Sequence, residues 1–120
     1  MYKKTDSDSE FCLVKKDYKA AYPDPLIAFE GDTLLIGKED TEYPGWIWCK
    51  NFCGKSGWVP KNYISINHNR AILLRDYDAT ELSVSTGERL IILKEESGWY
   101  WCRNKNDQKG WVPRRNISVI

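Results

Sequence analysis

The 120-residue sequence is poor in the residues that usually carry catalysis or metal chemistry. It has a single histidine, His68, and a single methionine at its start. Its four cysteines, Cys12, Cys49, Cys53 and Cys102, include no CxxC pair. A zinc site wants four ligands with thiolate or imidazole pairs at short spacing, so no metal and no cofactor are expected. There is no Gly-rich phosphate loop, no nucleophile beside a histidine and no paired carboxylate motif, so the chain is not read as an enzyme. Charge of one sign is also missing. Eighteen basic residues face seventeen acidic ones, a net charge of +1, which gives no general pull toward nucleic acid or an anionic membrane. No run approaches the ~20 apolar residues of a membrane helix. The opening MYKKTDSDSE carries no apolar stretch of the secretory kind. The expectation is a cytoplasmic protein with reduced thiols, whose residues 1–10 form a disordered tail.

What the chain does have is tryptophan, six in all, packed into two matching passages. Residues 45–64 read GWIWCKNFCGKSGWVPKNYI, and residues 98–117 read GWYWCRNKNDQKGWVPRRNI. Upstream of each passage the same blocks recur in the same order. Asp17-Tyr18 answers to Asp76-Tyr77, Gly31-Asp32 to Gly87-Glu88, and Leu34-Leu35-Ile36 to Leu90-Ile91-Ile92. The blocks are short, branched and aromatic, as strands are, and polar turns at 51–56 and 104–109 join consecutive ones into hairpins. Pro60 and Pro113 should end strands because proline supplies no ladder donor. No segment shows a sustained helical period.

These observations predict an all-β protein made of two duplicated units of about five short strands each. The expected boundaries are a first domain at 11–66, a linker at 67–69 and a second domain at 70–120. Sheets this small must close on themselves to bury a core. Leu13, Leu26, Leu34, Ile36, Val59 and Ile64 are the expected core of the first copy; Leu73, Leu82, Leu90, Ile92, Val112 and Ile117 are that of the second. Cys49 and Cys102 hold the same repeat position, so they are expected to fill equivalent small slots rather than bridge. The three linker residues Asn67, His68 and Asn69 span at most ~13 Å when extended, which favours a shared interface or composite groove.

The ordered blocks resemble the SH3 family. The second copy has LLRDY at 73–77, ELSV at 81–84, GERLIIL at 87–93, WYWC at 99–102 and GWVP at 110–113. The first has VKKDY at 14–18, PLIAF at 25–29, GDTLLI at 31–36, WIWC at 46–49 and GWVPKNYI at 57–64. The resemblance implies two five-stranded SH3-like barrels in tandem, joined by a very short linker. It also implies an adaptor that binds a proline-rich, polyproline II segment of another protein, with an Arg or Lys beside the PxxP core. Such a rod arrives preformed and fits slots walled by flat rings.

Carried over by position, the resemblance makes Tyr18, Trp46, Pro60 and Tyr63 the walls of the first groove, with Asp24, Glu39, Asp40 and Glu42 as its negative charge. The second groove takes Tyr77, Trp99 and Pro113, with Glu81 nearby. Lys16 and Arg75 stand where a first groove tyrosine is expected, and Asn116 replaces the last. The first groove therefore ranks as the more competent. Trp46 and Trp99 are expected exposed. Trp48 and Trp101 either widen the groove or pack on the neighbouring domain, and Trp58 and Trp111 are expected to pack structurally. Two other functions stay open: a reader of nucleic acid or modified tails, and a structural cell-envelope module.

Overall fold

In a computed structural model, which describes residues 10–119, the backbone is built from short strands and two single-turn 3-10 segments. The strands are β1 (Glu10–Val14), β2 (Ile27–Ala28), β3 (Thr33–Glu39), β4 (Trp46–Lys50), β5 (Ser56–Pro60), β6 (Ile64–Asn67), β7 (Arg70–Leu73), β8 (Tyr77–Asp78), β9 (Arg89–Glu96), β10 (Trp99–Arg103), β11 (Lys109–Pro113) and β12 (Ile117–Val119). Pro60 and Pro113 do end strands, and each leads into a 3-10 turn. The tail expected at 1–10 lies outside the described residues except Glu10, which opens β1.

The two five-stranded sheets do not follow the order of the two copies. One runs β11-β10-β9-β1-β12, the other β5-β4-β3-β7-β6. The first strand of copy one thus sits among strands of copy two, and the reverse. The compact units join residues 10–21 to 81–119, here called the Trp99 unit, and keep 22–80 together as the Trp46 unit. The chain passes between them at 21–22 and at 80–81. The boundaries expected at 11–66 and 70–120 therefore do not coincide with the packed units.

The physical reason lies at 67–70. Asn67 pairs with Arg70, and His68-Asn69 form the two-residue turn of a β6–β7 hairpin, with His68 at φ 58°. The residues expected to link two barrels instead close a hairpin, the least costly connection between antiparallel neighbours. That hairpin seats β7 between β3 and β6. The place is filled, and β1 closes the other sheet between β9 and β12.

The two seats are equivalent bond for bond. Gly31 N–H donates to Leu73 O at 2.8 Å and Leu73 N–H to Asp32 O at 2.9 Å. In the Trp99 unit Gly87 N–H donates to Val14 O at 2.7 Å and Val14 N–H to Glu88 O at 2.9 Å.

Alternation then decides which side chains enter each core. β1 turns Cys12 and Val14 inward and leaves Leu13 41 % exposed, so Leu13 is not the core residue expected from its hydrophobicity. They pack with Leu82, Val84, Leu90, Ile92, Tyr100, Cys102, Val112 and Ile117. β7 turns Ala71 and Leu73 inward, so Leu73 belongs with Leu26, Leu34, Cys49, Val59 and Ile64 rather than with the second-copy residues. Ile36 is only half-buried.

Cys49 and Cys102 are fully buried free thiols, one in each core. Burial pushes the Cys49 thiol up to about 12. Cys102 is hydrogen-bonded to Cys12 within the same core, which lowers the Cys12 thiol and, with burial, raises that of Cys102.

Two glycines are required by packing. A Cβ on Gly57 would stand 2.7 Å from the Ala79 Cβ, and one on Gly110 would stand 2.7 Å from the Leu82 backbone nitrogen. At both positions the hairpin lies directly against the chain next to the crossing at 80–81.

Candidate functional site

In the Trp99 unit the segment carrying Tyr18 is bonded to 81–86, a stretch remote in sequence. Tyr18 N–H donates to Val84 O at 3.0 Å, and Val84 N–H returns a bond to Tyr18 O at 2.8 Å. Asp17 accepts from the Thr86 N–H at 2.6 Å and the Thr86 hydroxyl at 2.7 Å, and these bonds hold its carboxyl below the usual range. Asn116 sits buried at the base and donates from Nδ2 to the carbonyls of Lys16 and Asp17 at 3.2 and 3.1 Å. Its own carbonyl accepts from Lys15 N–H at 2.8 Å. The residue that departs from the family tyrosine is therefore a clasp for the strand taken from copy one.

This scaffold presents two half-buried rings. Tyr18 meets Trp99 edge to face, with centroids 5.6 Å apart and planes at 85°. The Tyr18 hydroxyl donates to Glu81 Oε1 at 2.7 Å, and the same oxygen accepts from Ala21 N–H at 2.9 Å. Pro113 lies opposite Trp99 in the β10–β11 ladder, and Glu96 lies opposite it in the β9–β10 ladder. Glu95 is paired with Arg114.

In the Trp46 unit the corresponding rings are buried. Trp46 is 3 % exposed, Tyr63 4 % and Tyr77 4 %, and Pro60, opposite Trp46, is buried. Tyr77 donates its hydroxyl to Trp58 O at 2.7 Å and meets the Tyr63 ring edge-on at 5.5 Å. The Arg75 guanidinium lies 4.4 Å from the centre of Tyr63.

The two expected grooves therefore exchange a tyrosine. Tyr18 packs beside Trp99, and Tyr77 packs on Tyr63 in the Trp46 unit. The cause is the strand exchange, since each tyrosine follows its own first strand. The exposure expected of Trp46 is likewise replaced by burial, and Tyr63 and Tyr77, expected as groove walls, are buried too. Arg75, counted against the second copy, lies against Tyr63 of the first.

The expected acidic residues are engaged within their own unit. Asp24 pairs with Lys55. Glu39 pairs with Lys61 at 3.1 Å and accepts from Gly45 N–H at 3.3 Å, and these bonds lower its carboxyl. Asp40 caps the turn by accepting from Glu42 N–H at 2.8 Å, and Glu42 itself is exposed. Glu81, placed only nearby from the sequence, positions Tyr18.

The remaining tryptophans stack across their own hairpins. Trp48 pairs with Trp58 at 5.1 Å and Trp101 with Trp111 at 5.3 Å, and Tyr22 leans on Trp48 at 5.1 Å. Cross-strand aromatic pairs stabilise sheets in this way.

A family model described as Variant SH3 domain matches residues 11–67, and one described as SH3 domain matches 75–114. Among curated proteins the chain is 32 % identical over 130 aligned residues to the SH2/SH3 adapter protein dreadlocks of Drosophila melanogaster, covering 90 % of this chain and 23 % of that protein. It is 34 % identical over 61 residues to protein nervous wreck of Drosophila melanogaster, covering 50 % of this chain and 6 % of that protein. A 48-residue stretch is 44 % identical to myosin heavy chain IB of Acanthamoeba castellanii, covering 40 % of this chain and 4 % of that protein. The chain thus spans less than a quarter of the length of these relatives. Matched in succession by two models, with a five-stranded sheet in each unit, the chain belongs to the SH3 family and carries two SH3 domains in tandem.

Proposed function

We propose that the Trp99 unit docks a proline-rich segment of a partner protein, in the polyproline II conformation, on Tyr18, Trp99 and Pro113. The chain is a protein-interaction module of the adaptor type, in keeping with its two SH3 domains and with the adapter named among its relatives. The single observation that carries the finer reading is the Tyr18–Trp99 pair. Two rings at 85° and 5.6 Å leave a walled notch, and both remain half-buried rather than sealed. A preformed rod needs only such notches, and rigid rings supply them at little entropic cost. Glu96 beside Trp99 provides the charge for an Arg or Lys next to the proline core.

The ranking of grooves expected from the sequence is reversed in this proposal. In the Trp46 unit the rings are buried and Arg75 caps Tyr63, so that site binds more weakly or after rearrangement. A cytoplasmic setting belongs to the same reading and is supported by four unbridged cysteines. No helix among the described residues is long and apolar enough to cross a membrane.

The test is a titration of a PxxP peptide with a flanking Arg against the full chain, Tyr18→Ala, Trp99→Ala and Trp46→Ala, followed by amide chemical shifts. Tyr18→Ala and Trp99→Ala should each weaken binding at least tenfold, with shifts centred on 16–20, 96–99 and 113. Wild-type affinity in both variants would refute the assignment.

A further inference from the structure

The end of the Trp99 unit remote from its ring notch carries a second surface of opposite charge. β9 and β10 place Glu95, Glu96 and Trp99 at one end of their ladder, and Arg89 and Arg103 at the other. The strands rise about 3.3 Å per residue, so Trp99 and Arg103 stand roughly 13 Å apart on one strand. At the basic end Phe11, Ile91 and Arg103 form one row across β1, β9 and β10. The Arg89 guanidinium lies 4.7 Å from the centre of the Phe11 ring. These residues, with Leu90, Asn104 and Lys105, line a cavity of about 150 Å3. Its walls are aliphatic and aromatic, and its rim holds three cations.

Among the described residues the acidic groups around it are few. Asp107 lies 3.6 Å from Arg103 Nε and is 85 % exposed. Glu10 lies on the same face of β1 as the inward Cys12, away from Phe11. The corresponding row of the Trp46 unit, Arg70, Leu35 and Lys50, is basic too, with Arg70 5.5 Å from the Phe52 ring. The same chemistry has thus been placed at the same end of both barrels from different residues.

We infer that this cavity is a second docking site, which takes an acidic partner segment by inserting one large apolar side chain between flanking carboxylates. The cavity is well below the roughly 300–1,000 Å3 of a small-molecule site, so a single side chain fits and a cofactor does not. Arginine pairs with carboxylate through a planar fork, and the ring beneath Arg89 holds that fork in place. Its charge preference is opposite to that of the proline notch, so one unit can hold two unlike segments at once.

The probe is the blocked peptide Glu-Glu-Leu-Phe-Glu-Glu, titrated into the full chain by calorimetry and mapped by amide shifts. Binding should centre on 11–13, 89–91 and 103–105, weaken about tenfold in Arg89→Gln and in Arg103→Gln, and weaken with salt. A control peptide with both apolar residues changed to alanine should bind about tenfold less well. A saturating proline-rich peptide should leave the affinity unchanged. The inference is overturned if the probe does not bind, if the proline-rich peptide displaces it, if the alanine control binds equally, or if both arginine variants bind as wild type. Tighter binding of an oligonucleotide at the same residues would also overturn it.

Discussion

Leu73→Ala is the sharpest test of the exchanged strands. By sequence Leu73 opens the second SH3 copy, but in the structure its side chain is 1 % exposed in the Trp46 unit, paired with Ile64. Truncating a buried leucine costs about 2–5 kcal/mol, because the cavity adds to the lost transfer energy. A unit of this size is stable by only about 3–9 kcal/mol. The loss is therefore a large fraction of the whole, and each 1.4 kcal/mol is tenfold in the opening equilibrium. Native-state hydrogen exchange should show amides of 33–36, 46–50, 56–60 and 64–67 losing protection by roughly 30-fold to several thousand-fold. Amides of 89–103 and 109–113 should keep theirs. Val14→Ala, which removes two buried methyl groups for about 2 kcal/mol, should do the reverse. If Leu73→Ala instead exposes 89–113 and spares 33–67, the strands are not exchanged and the reasoning fails.

Gly110→Ala should destabilise the Trp99 unit by about 1–3 kcal/mol in urea unfolding, since its Cβ would meet the Leu82 backbone; it should also weaken proline-peptide binding by shifting Glu81. Asn116→Leu should lower stability and peptide affinity together, because the Lys16 and Asp17 carbonyls lose their donor. The Asp17 carboxyl is depressed in the folded state by its Thr86 bonds, so its contribution is present above the unfolded carboxylate range and lost as pH falls through the lowered value. Asp17→Asn should flatten the acid limb of the stability profile below about pH 4, where wild type falls. An Ellman titration of the native protein should find Cys53 reactive at once and Cys12, Cys49 and Cys102 only on unfolding, since Cys53 alone of these free thiols is exposed.

Much was legible from local pattern. The Gly-Trp openings, the polar turns and the prolines marked the β4–β5 and β10–β11 hairpins, because a hairpin's register is set by residues close in sequence. The repeated blocks named the family. The pairing of Trp46 with Pro60 and of Trp99 with Pro113 also followed, as these are cross-strand neighbours in those hairpins. Which tyrosine joins which tryptophan did not follow. Tyr18 reaches Trp99 across some eighty residues, and neither residue carries a local mark of the other. Burial of Trp46 and the capping of Tyr63 by Arg75 are long-range in the same sense.

Sequence alone determined that there are two SH3 repeats and where their Trp-centred hairpins lie, since turn chemistry acts within a few residues. Only the tertiary structure decided which first strand closes which sheet. Phe11-Cys12-Leu13-Val14 and Arg70-Ala71-Ile72-Leu73 each turn two apolar side chains inward, Cys12 and Val14 or Ala71 and Leu73, and make the same backbone bonds, so neither is excluded from either seat by its own pattern. The choice rests on the two-residue turn at His68-Asn69, which brings β7 beside β6 at the lowest loop-closure cost and leaves β1 the other place.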